Sequence, residues 1–227
     1  MQLSVGEGLP YQTKQQFVYR VLRDAILRCE LKPGQRLVLD AVAKQLGVSP
    51  IPVREAFQML QTEGWVEITP HTGSIVAPIS RQSVVETFTV LEGMEIVGTR
   101  TAAERVSTEQ LARLREQLEE MDTVLQDGHQ ERWSALNTQF HLTIAQITEL
   151  PMVLEVTRRA FERWERVSRY FFQGVLMHRL DQSQEQHRQL VRAIAERAFD
   201  ELEQLAKIHN QSALQSYLSY IDSATKG

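Results

Sequence analysis

The prolines of this sequence are concentrated in its first third. Pro151 is the only one of the seven that follows residue 78. The other six are Pro10, Pro33, Pro50, Pro52, Pro70 and Pro78. Because proline breaks helices and marks turns, the first third is predicted to consist of short elements, whereas the remainder can support long helices. We therefore predict two domains, at residues 1–78 and 79–227.

Charge divides at the same boundary. The 227 residues carry a net charge of −4, which taken alone argues against a nucleic-acid partner. Residues 1–78 hold 8 Lys and Arg against 7 Asp and Glu, whereas residues 79–227 hold 17 against 22. The acidity thus belongs to the second domain, and the first domain is free to approach a polyanion.

The composition also indicates the compartment. Cys29 is the only cysteine, so no internal disulfide can form. The first twenty residues lack the basic-then-apolar pattern of a signal peptide, and no stretch reaches the roughly 18 consecutive apolar residues of a membrane span. With 42% hydrophobic residues, the chain is expected to be a globular cytoplasmic protein without a membrane partner.

Three helices followed by a hairpin are predicted for the first domain. Apolar residues at helical spacing indicate helices over residues 13–29, 40–46 and 50–62. Gly47 suits a left-handed cap after the second helix, and Ser49 suits the N-cap of the third, which starts with a proline. Strand-like segments then flank a Pro-His-Thr-Gly turn, which favours a two-stranded hairpin over residues 65–77.

The third helix has two different faces. Its apolar face is expected to join the core and carries Val53, Phe57 and Leu60. Its polar face carries Arg54, Gln58 and Gln61 at the same spacing. Such side chains can reach base edges and phosphates, and the helix N-terminus is expected to add amide donors for phosphate. Two helices, a tight turn and a hairpin form a winged helix-turn-helix, so the pattern predicts DNA binding. The alternative is an ordinary amphipathic helix with a solvated Arg54.

Motifs across residues 36–76 resemble the GntR family of bacterial transcription regulators. They are Arg36-Leu37, Leu46-Gly47-Val48-Ser49, Pro52-Val53-Arg54-Glu55-Ala56, Glu63-Gly64-Trp65-Val66 and Gly73-Ser74-Ile75-Val76. The resemblance implies DNA contacts from the recognition helix and from a wing tip in the minor groove. The predicted DNA-binding residues are Ser49, Pro50, Ile51, Arg54, Gln58, His71, Thr72 and Gly73.

Three positions depart from the family pattern. Pro50 and Ile51 stand where the family usually has an arginine followed by Thr or Ser, and Asp40 stands where many members have an arginine. These departures remove cationic contacts. We therefore expect modest non-specific affinity for DNA and a shallow salt dependence.

The second domain is predicted to be an all-helical antiparallel bundle of six helices, which makes the whole protein mainly α. Periodic apolar stripes separated by turn signals place these helices at residues 81–105, 108–127, 130–147, 151–173, 181–198 and 200–223.

Four polar residues lie on the inward stripes of this bundle. Asn137 and His141 are one helical turn apart, and His187 and His209 lie on the apolar stripes of two later helices. Three imidazoles and an amide oxygen that converge from three helices predict a site for Zn(II), Ni(II) or another divalent metal. The alternative is that the histidines are hydrogen-bonded core residues.

The second domain resembles the FCD effector domain of the FadR subfamily, in its smaller VanR-like branch. The resemblance is carried by Leu91-Glu92, Ala102-Ala103-Glu104-Arg105, Phe140-His141, His187 and His209. It implies a metal held by Asn137, His141, His187 and His209. Asn137 stands where metal-binding members have Asp, which implies weaker binding, and Phe88 stands where many have an arginine, which weakens the case for a carboxylate effector.

Together these features predict a cytoplasmic, ligand-responsive transcription regulator, with repression favoured over activation. It is expected to bind a palindromic double-stranded DNA operator as a homodimer, under the control of a small-molecule effector such as an organic acid. One alternative is a helical-bundle metalloenzyme, which leaves residues 1–78 without a role and offers no catalytic base at Asn137. Another is a metal-free regulator whose polar cavity binds the effector directly.

Overall fold

The computed structural model describes residues 13–69 and 73–224 and divides into two units, with the division after residue 80. The described residues form nine α-helices, one turn of 3₁₀ helix and a three-stranded sheet. Among them, no helix is both long enough and apolar enough to cross a bilayer. The fold is mainly α, as predicted.

The N-terminal unit is a winged helix-turn-helix. Its helices are α1 (Lys14–Leu27), α2 (Leu39–Leu46) and α3 (Pro50–Thr62). Its strands are β1 (Arg36–Leu37), β2 (Val66–Thr69) and β3 (Gly73–Val76), in the antiparallel order β1-β3-β2. The sheet thus has one strand more than the predicted hairpin, because a strand of two residues is too short to show alternation in the sequence.

One hydrophobic core fixes the position of α3 within this unit. The helix buries Val53, Phe57 and Leu60, as its periodicity predicts, and they pack with Leu22 of α1 and Trp65. The preceding α2 ends at Gly47, whose φ of +65° lies in the left-handed region that favours glycine. Because α3 is anchored by its apolar face, its opposite face is held toward solvent.

The C-terminal unit contains the six predicted helices. They are α4 (Arg81–Arg105), α5 (Thr108–Gln126), α6 (Gln130–Ile147), α7 (Pro151–Tyr170), α8 (Leu180–Glu196) and α9 (Phe199–Ala224). The prediction was wrong about the end of α7, which stops at Tyr170 instead of continuing to residue 173, and a 3₁₀ turn follows at Leu176–His178. At Gly174 a Cβ would lie 2.3 Å from the Tyr220 ring, so a larger residue at this position would require the Tyr220 side chain of α9 to move.

Helix α4 is the central element of this unit, since it packs against α6, α7, α8 and α9. The largest fully buried side chains around it include Trp133, Phe140 and Tyr217. Buried among these apolar residues are polar side chains from four helices, and this polar interior is the second candidate site.

A capping box begins α5. Ser107 accepts a hydrogen bond from the amide of Gln110 at 3.1 Å, and the Gln110 side chain accepts one from the Ser107 amide at 2.9 Å. Ser107→Ala should therefore lower the free energy of unfolding by about 1 kcal/mol, measured by urea denaturation. Ser219→Ala, at an exposed position inside α9, should change it by less than about 0.5 kcal/mol. Equal effects of the two substitutions would contradict this role of the cap.

Candidate DNA interface and buried histidine site

The exposed face of α3 and its N-terminal approach carry five of the predicted DNA-binding residues. All five are exposed, namely Ser49, Pro50, Ile51, Arg54 and Gln58. The Arg54 guanidinium makes no hydrogen bond or ion pair with any residue that the structure describes. The apolar Ile51 side chain is 69% exposed. This face can thus offer a partner the Arg54 cation, the side-chain amide of Gln58 and an apolar contact from Ile51.

The start of α3 differs from the expectation for a phosphate-binding helix N-terminus. Ser49 occupies the N-cap position, but its side chain makes no capping hydrogen bond. The donor for such a bond would be the backbone N–H of the second or third helical residue, and the third is Pro52, which has no N–H. With Pro50 also lacking an N–H, Ile51 has the only amide among the first three helical positions. Fewer backbone donors than predicted therefore face solvent here, while the Ser49 hydroxyl is not used as a cap.

Only part of the predicted wing tip can be located. His71 and Thr72 lie outside the described residues, and Gly73 begins β3 with a φ of +113°, a conformation that favours glycine. A Cβ at Gly73 would lie 3.7 Å from the Nε and Nη2 atoms of Arg36, which is exposed on β1. Arg36 is a cation beside the wing that the sequence reasoning did not assign to the interface, because β1 was not predicted.

Three histidines meet in the interior of the C-terminal unit. His141 on α6, His187 on α8 and His209 on α9 are 5%, 0% and 9% exposed. Each offers a ring nitrogen within 4.8 Å of the others, and their ring centroids are 4.9 to 5.4 Å apart. Asn137, one turn before His141, is also buried and lines the same cavity as His141 and His209. The structure thus brings together the four residues that the sequence singled out.

The imidazoles are held in the neutral form. Burial, followed by the effect of neighbouring histidines, lowers the pKa of His141 and of His187 well below the usual value. Burial and then the charge of Arg179 lower the pKa of His209 to about 3. Neutral imidazole is the form that binds metals, so no proton has to leave these rings before an ion can bind.

Hydrogen bonds orient one of the rings, and another ring has none. The Nδ1 atom of His209 lies 2.9 Å from the Gln186 amide oxygen, which only accepts, so Nδ1 donates and Nε2 keeps its lone pair. Both ring nitrogens of His187 are buried and form no hydrogen bond within the described residues. Buried polar atoms are rarely left without partners. The ring nitrogens of His187 are therefore available to bind a ligand.

Two ionisable residues of this interior were missed by the sequence reasoning. Glu95 of α4 is 8% exposed in its side chain, and its Oε1 lies 3.3 Å from Nδ1 of His141. Burial is the main cause that raises the pKa of Glu95 to about 8, and Asn210 donates a hydrogen bond to its other oxygen. Arg179, immediately before α8, is 6% exposed. His129 and His178, by contrast, are exposed.

Comparisons with known proteins agree with both halves of this description. A family model for the FCD domain matches residues 86–212, and one for bacterial regulatory proteins of the gntR family matches residues 14–76. The HTH-type transcriptional repressor RspR of Escherichia coli (strain K12) is 27% identical over 207 residues, which cover 91% of this chain and 90% of that protein.

Solved structures share the fold. E. coli McbR/YncC superposes with a TM-score of 0.71 at 24% identity, covering 92% of this chain and 100% of that one. A GntR protein from Rhodococcus sp. RHA1 superposes with a TM-score of 0.72 at 22% identity, covering 92% and 99% of the two chains.

The chain combines a winged helix-turn-helix, whose recognition helix is exposed, with a helical unit that contains a buried polar cavity. This combination defines a ligand-responsive DNA-binding transcription regulator. The chain belongs to the GntR family of bacterial regulatory proteins and carries an FCD domain. Family and relatives point to a transcription regulator rather than to the metalloenzyme considered as an alternative.

Proposed function

We propose that this regulator is a cytoplasmic repressor of the VanR-like branch of the FadR subfamily, which binds a palindromic operator as a homodimer. The observation that carries its DNA-binding half is the exposed face of α3, where Arg54 has no partner among the described residues. Six helices in the C-terminal unit support the branch. The name of the relative RspR, a transcriptional repressor, supports the sign of regulation.

Three side chains of α3 have suitable chemistry for reading bases in a major groove. Arg54 can donate two hydrogen bonds to a guanine edge, and Gln58 can bond both edge atoms of an adenine. The exposed Ile51 suits contact with a thymine methyl group. Two copies related by a two-fold axis would present these side chains to successive grooves, which gives a palindromic site. His71, Thr72 and Gly73 would approach the adjacent minor groove.

The bundle site fits a divalent metal such as zinc or nickel. The neutral imidazoles of His141, His187 and His209 would hold the ion, with the amide oxygen of Asn137 as a weaker fourth ligand. The two unpartnered nitrogens of His187 support this fit. A bound ion would supply a Lewis-acidic position for an oxygen atom of an effector. Gln186 would keep the His209 ring in the orientation that leaves Nε2 available.

Control of DNA binding requires that an effector binds two states of the dimer with different affinity. The cavity beside the histidines is bordered by α4, α6, α7, α8 and α9, so a ligand there could contact five helices at once. We propose that this contact changes the packing of the unit and thereby the spacing of the two recognition helices.

Selection of bound fragments from genomic DNA tests the proposed function. Purified full-length protein should enrich a small number of fragments, and a footprint on each should centre on a short palindrome. Protein-to-DNA stoichiometry on a single site, from light scattering of the complex, should be two chains per duplex. Enrichment without any shared sequence would contradict the proposal, as would a complex with one chain per duplex.

Arg36 is proposed to contact a phosphate next to the wing. Arg36→Gln should weaken binding to specific and shuffled DNA by a similar factor, and the slope of log affinity against log salt should become shallower by about 1. Arg28→Gln, at an exposed arginine after α1, should leave the slope unchanged. Measuring affinity at four salt concentrations checks this. An unchanged slope for Arg36→Gln would remove Arg36 from the interface.

A further inference from the structure

Helix α4 has an outward stripe that the rest of the chain does not cover. The stripe carries Glu86, Val90, Gly93, Val97 and Arg100, which follow one another at intervals of three or four residues and therefore lie on one face of the helix. Val90 and Val97 are 42% and 41% exposed, although they lie in the middle of a long helix. Removing these apolar side chains from water would favour association with a second apolar surface.

The glycine at the centre of this stripe is not required by the fold of the chain. Gly93 lies inside α4, where glycine makes a helix less stable than alanine does. A Cβ at Gly93 would meet no atom of the described residues within 4 Å, and its φ is not positive. Because nothing within the chain explains this glycine, it indicates that the backbone of another molecule approaches closely at this point.

The charges of the stripe are placed symmetrically about Gly93. Glu86 lies seven residues before it and Arg100 seven residues after it, which is about 10 Å in each direction along the helix. Glu86 accepts a hydrogen bond from Gln82 at 3.1 Å, and the Arg100 guanidinium lies 5.3 Å from the Phe199 ring. Neither Glu86 nor Arg100 forms an ion pair with a residue that the structure describes.

This symmetry is what a two-fold interface requires. Such an interface brings residue i of one copy to residue j of the other, and residue j to residue i, so the surface must be complementary to itself. Opposite charges at equal distances from the two-fold axis then attract each other twice. Two parallel copies of α4 would instead place Glu86 beside Glu86 and Arg100 beside Arg100, which is repulsive.

We propose that this stripe of α4 binds the same stripe of a second copy of this chain, with the two helices antiparallel and Gly93 next to the two-fold axis. In this register Glu86 meets Arg100 of the partner subunit, and Val90 meets Val97 of the partner subunit. The absence of a side chain at Gly93 lets the two backbones approach where the helices cross. This inference rests on the proposed homodimer and names the surface that forms it.

Cysteine cross-linking of the full-length protein tests the register. Cys29 is the only native cysteine, so the variants are made in a Cys29→Ser background. The double variant Val90→Cys/Val97→Cys should form a disulfide-linked dimer under mild oxidation. Within one chain the two positions are about 10 Å apart along the helix, which is too far for a disulfide between Cα atoms that must lie within about 7 Å.

The single variants are the matched controls for this experiment. Val90→Cys alone and Val97→Cys alone should remain uncross-linked on a non-reducing gel, because each would lie about 10 Å along the axis from its own copy in the partner. Efficient cross-linking of either single variant would overturn the antiparallel register. No cross-linking of the double variant would also overturn the inference.

Charge reversal tests the ionic pairs. Glu86→Arg should weaken self-association by at least about tenfold in sedimentation velocity, because each dimer loses two attractions and gains two repulsions. Glu86→Arg combined with Arg100→Glu should restore the affinity to within about threefold of wild type. Glu119→Arg, at an exposed glutamate of α5, should leave self-association unchanged. Equal effects of Glu86→Arg and Glu119→Arg, or no recovery in the combined variant, would overturn the inference.

The oligomeric state of the wild-type protein separates this inference from the proposed function. A protein that is dimeric on its operator but fails the cross-linking and charge-reversal tests contradicts the inference alone. A protein that is monomeric both in solution and on its operator contradicts the proposed homodimer, and the inference with it.

Discussion

Replacing His187 by glutamine is expected to abolish stoichiometric binding of zinc or nickel. His187 is fully buried, and both of its ring nitrogens are without hydrogen bonds in the described part of the chain, so it is the least replaceable of the three imidazoles. Loss of an outer partner of a metal ligand already costs about 10-fold to 100-fold in affinity, so loss of the ligand itself should cost more than about 100-fold. Glutamine fills a similar volume and limits the damage to packing against Trp133.

Metal content after dialysis, together with competition against a chelator, measures this effect. His178→Gln removes an exposed histidine of the same unit and should leave metal affinity unchanged. If wild-type protein holds no stoichiometric metal after incubation with excess zinc or nickel, the three histidines are core residues and the regulator acts without a metal. Identical metal affinity of wild type and His187→Gln would exclude His187 as a ligand.

Substitution of Arg54 by alanine is expected to lower the affinity for the operator by about 10-fold to 100-fold. A bidentate contact between arginine and guanine contributes about 1–3 kcal/mol of discrimination, and α3 offers no second arginine. Shuffled DNA should lose less, since it makes only the charge contact. The stability of the protein should change little, because Arg54 is exposed and forms no bond with any described residue.

Fluorescence anisotropy with labelled operator and labelled shuffled DNA measures both affinities. Arg28→Ala, at the exposed end of α1, is the matched control and should leave the ratio between the two DNAs unchanged. An Arg54→Ala protein that keeps the wild-type ratio would show that another surface reads the operator.

The fold could be predicted from the sequence wherever an element was long enough to show a repeating apolar pattern. Helices of eight residues or more have repeating apolar faces and recognisable ends, such as Gly47 after α2 and Ser107 before α5. The two-residue strand β1 has no period to detect, and its pairing with β3 depends on tertiary contacts. The predicted end of α7 was wrong because the apolar sequence continues past Tyr170, and the close approach of Tyr220 to Gly174 is a tertiary contact that the local sequence does not show.

The candidate site was predictable where polar residues interrupt an apolar stripe. This signal identified Asn137, His141, His187 and His209, all of them buried. The same signal exists at Glu95, which lies one turn after Leu91 on the buried stripe of α4. The sequence reasoning did not use it. Arg179 gives no such signal, since it lies between a 3₁₀ turn and α8, and its burial follows from packing. The buried hydrogen-bond donors near Arg179 that have no acceptor among the described residues can be recognised only from the structure.

The central claim is that α3 gives this regulator its sequence specificity. The most direct measurement is the ratio of affinities for a selected operator and for a shuffled copy of it, determined at one physiological salt concentration. Wild-type protein should prefer the operator by at least about 1,000-fold. In Arg54→Ala this preference should fall by about tenfold or more. A wild-type ratio near one would contradict the claim.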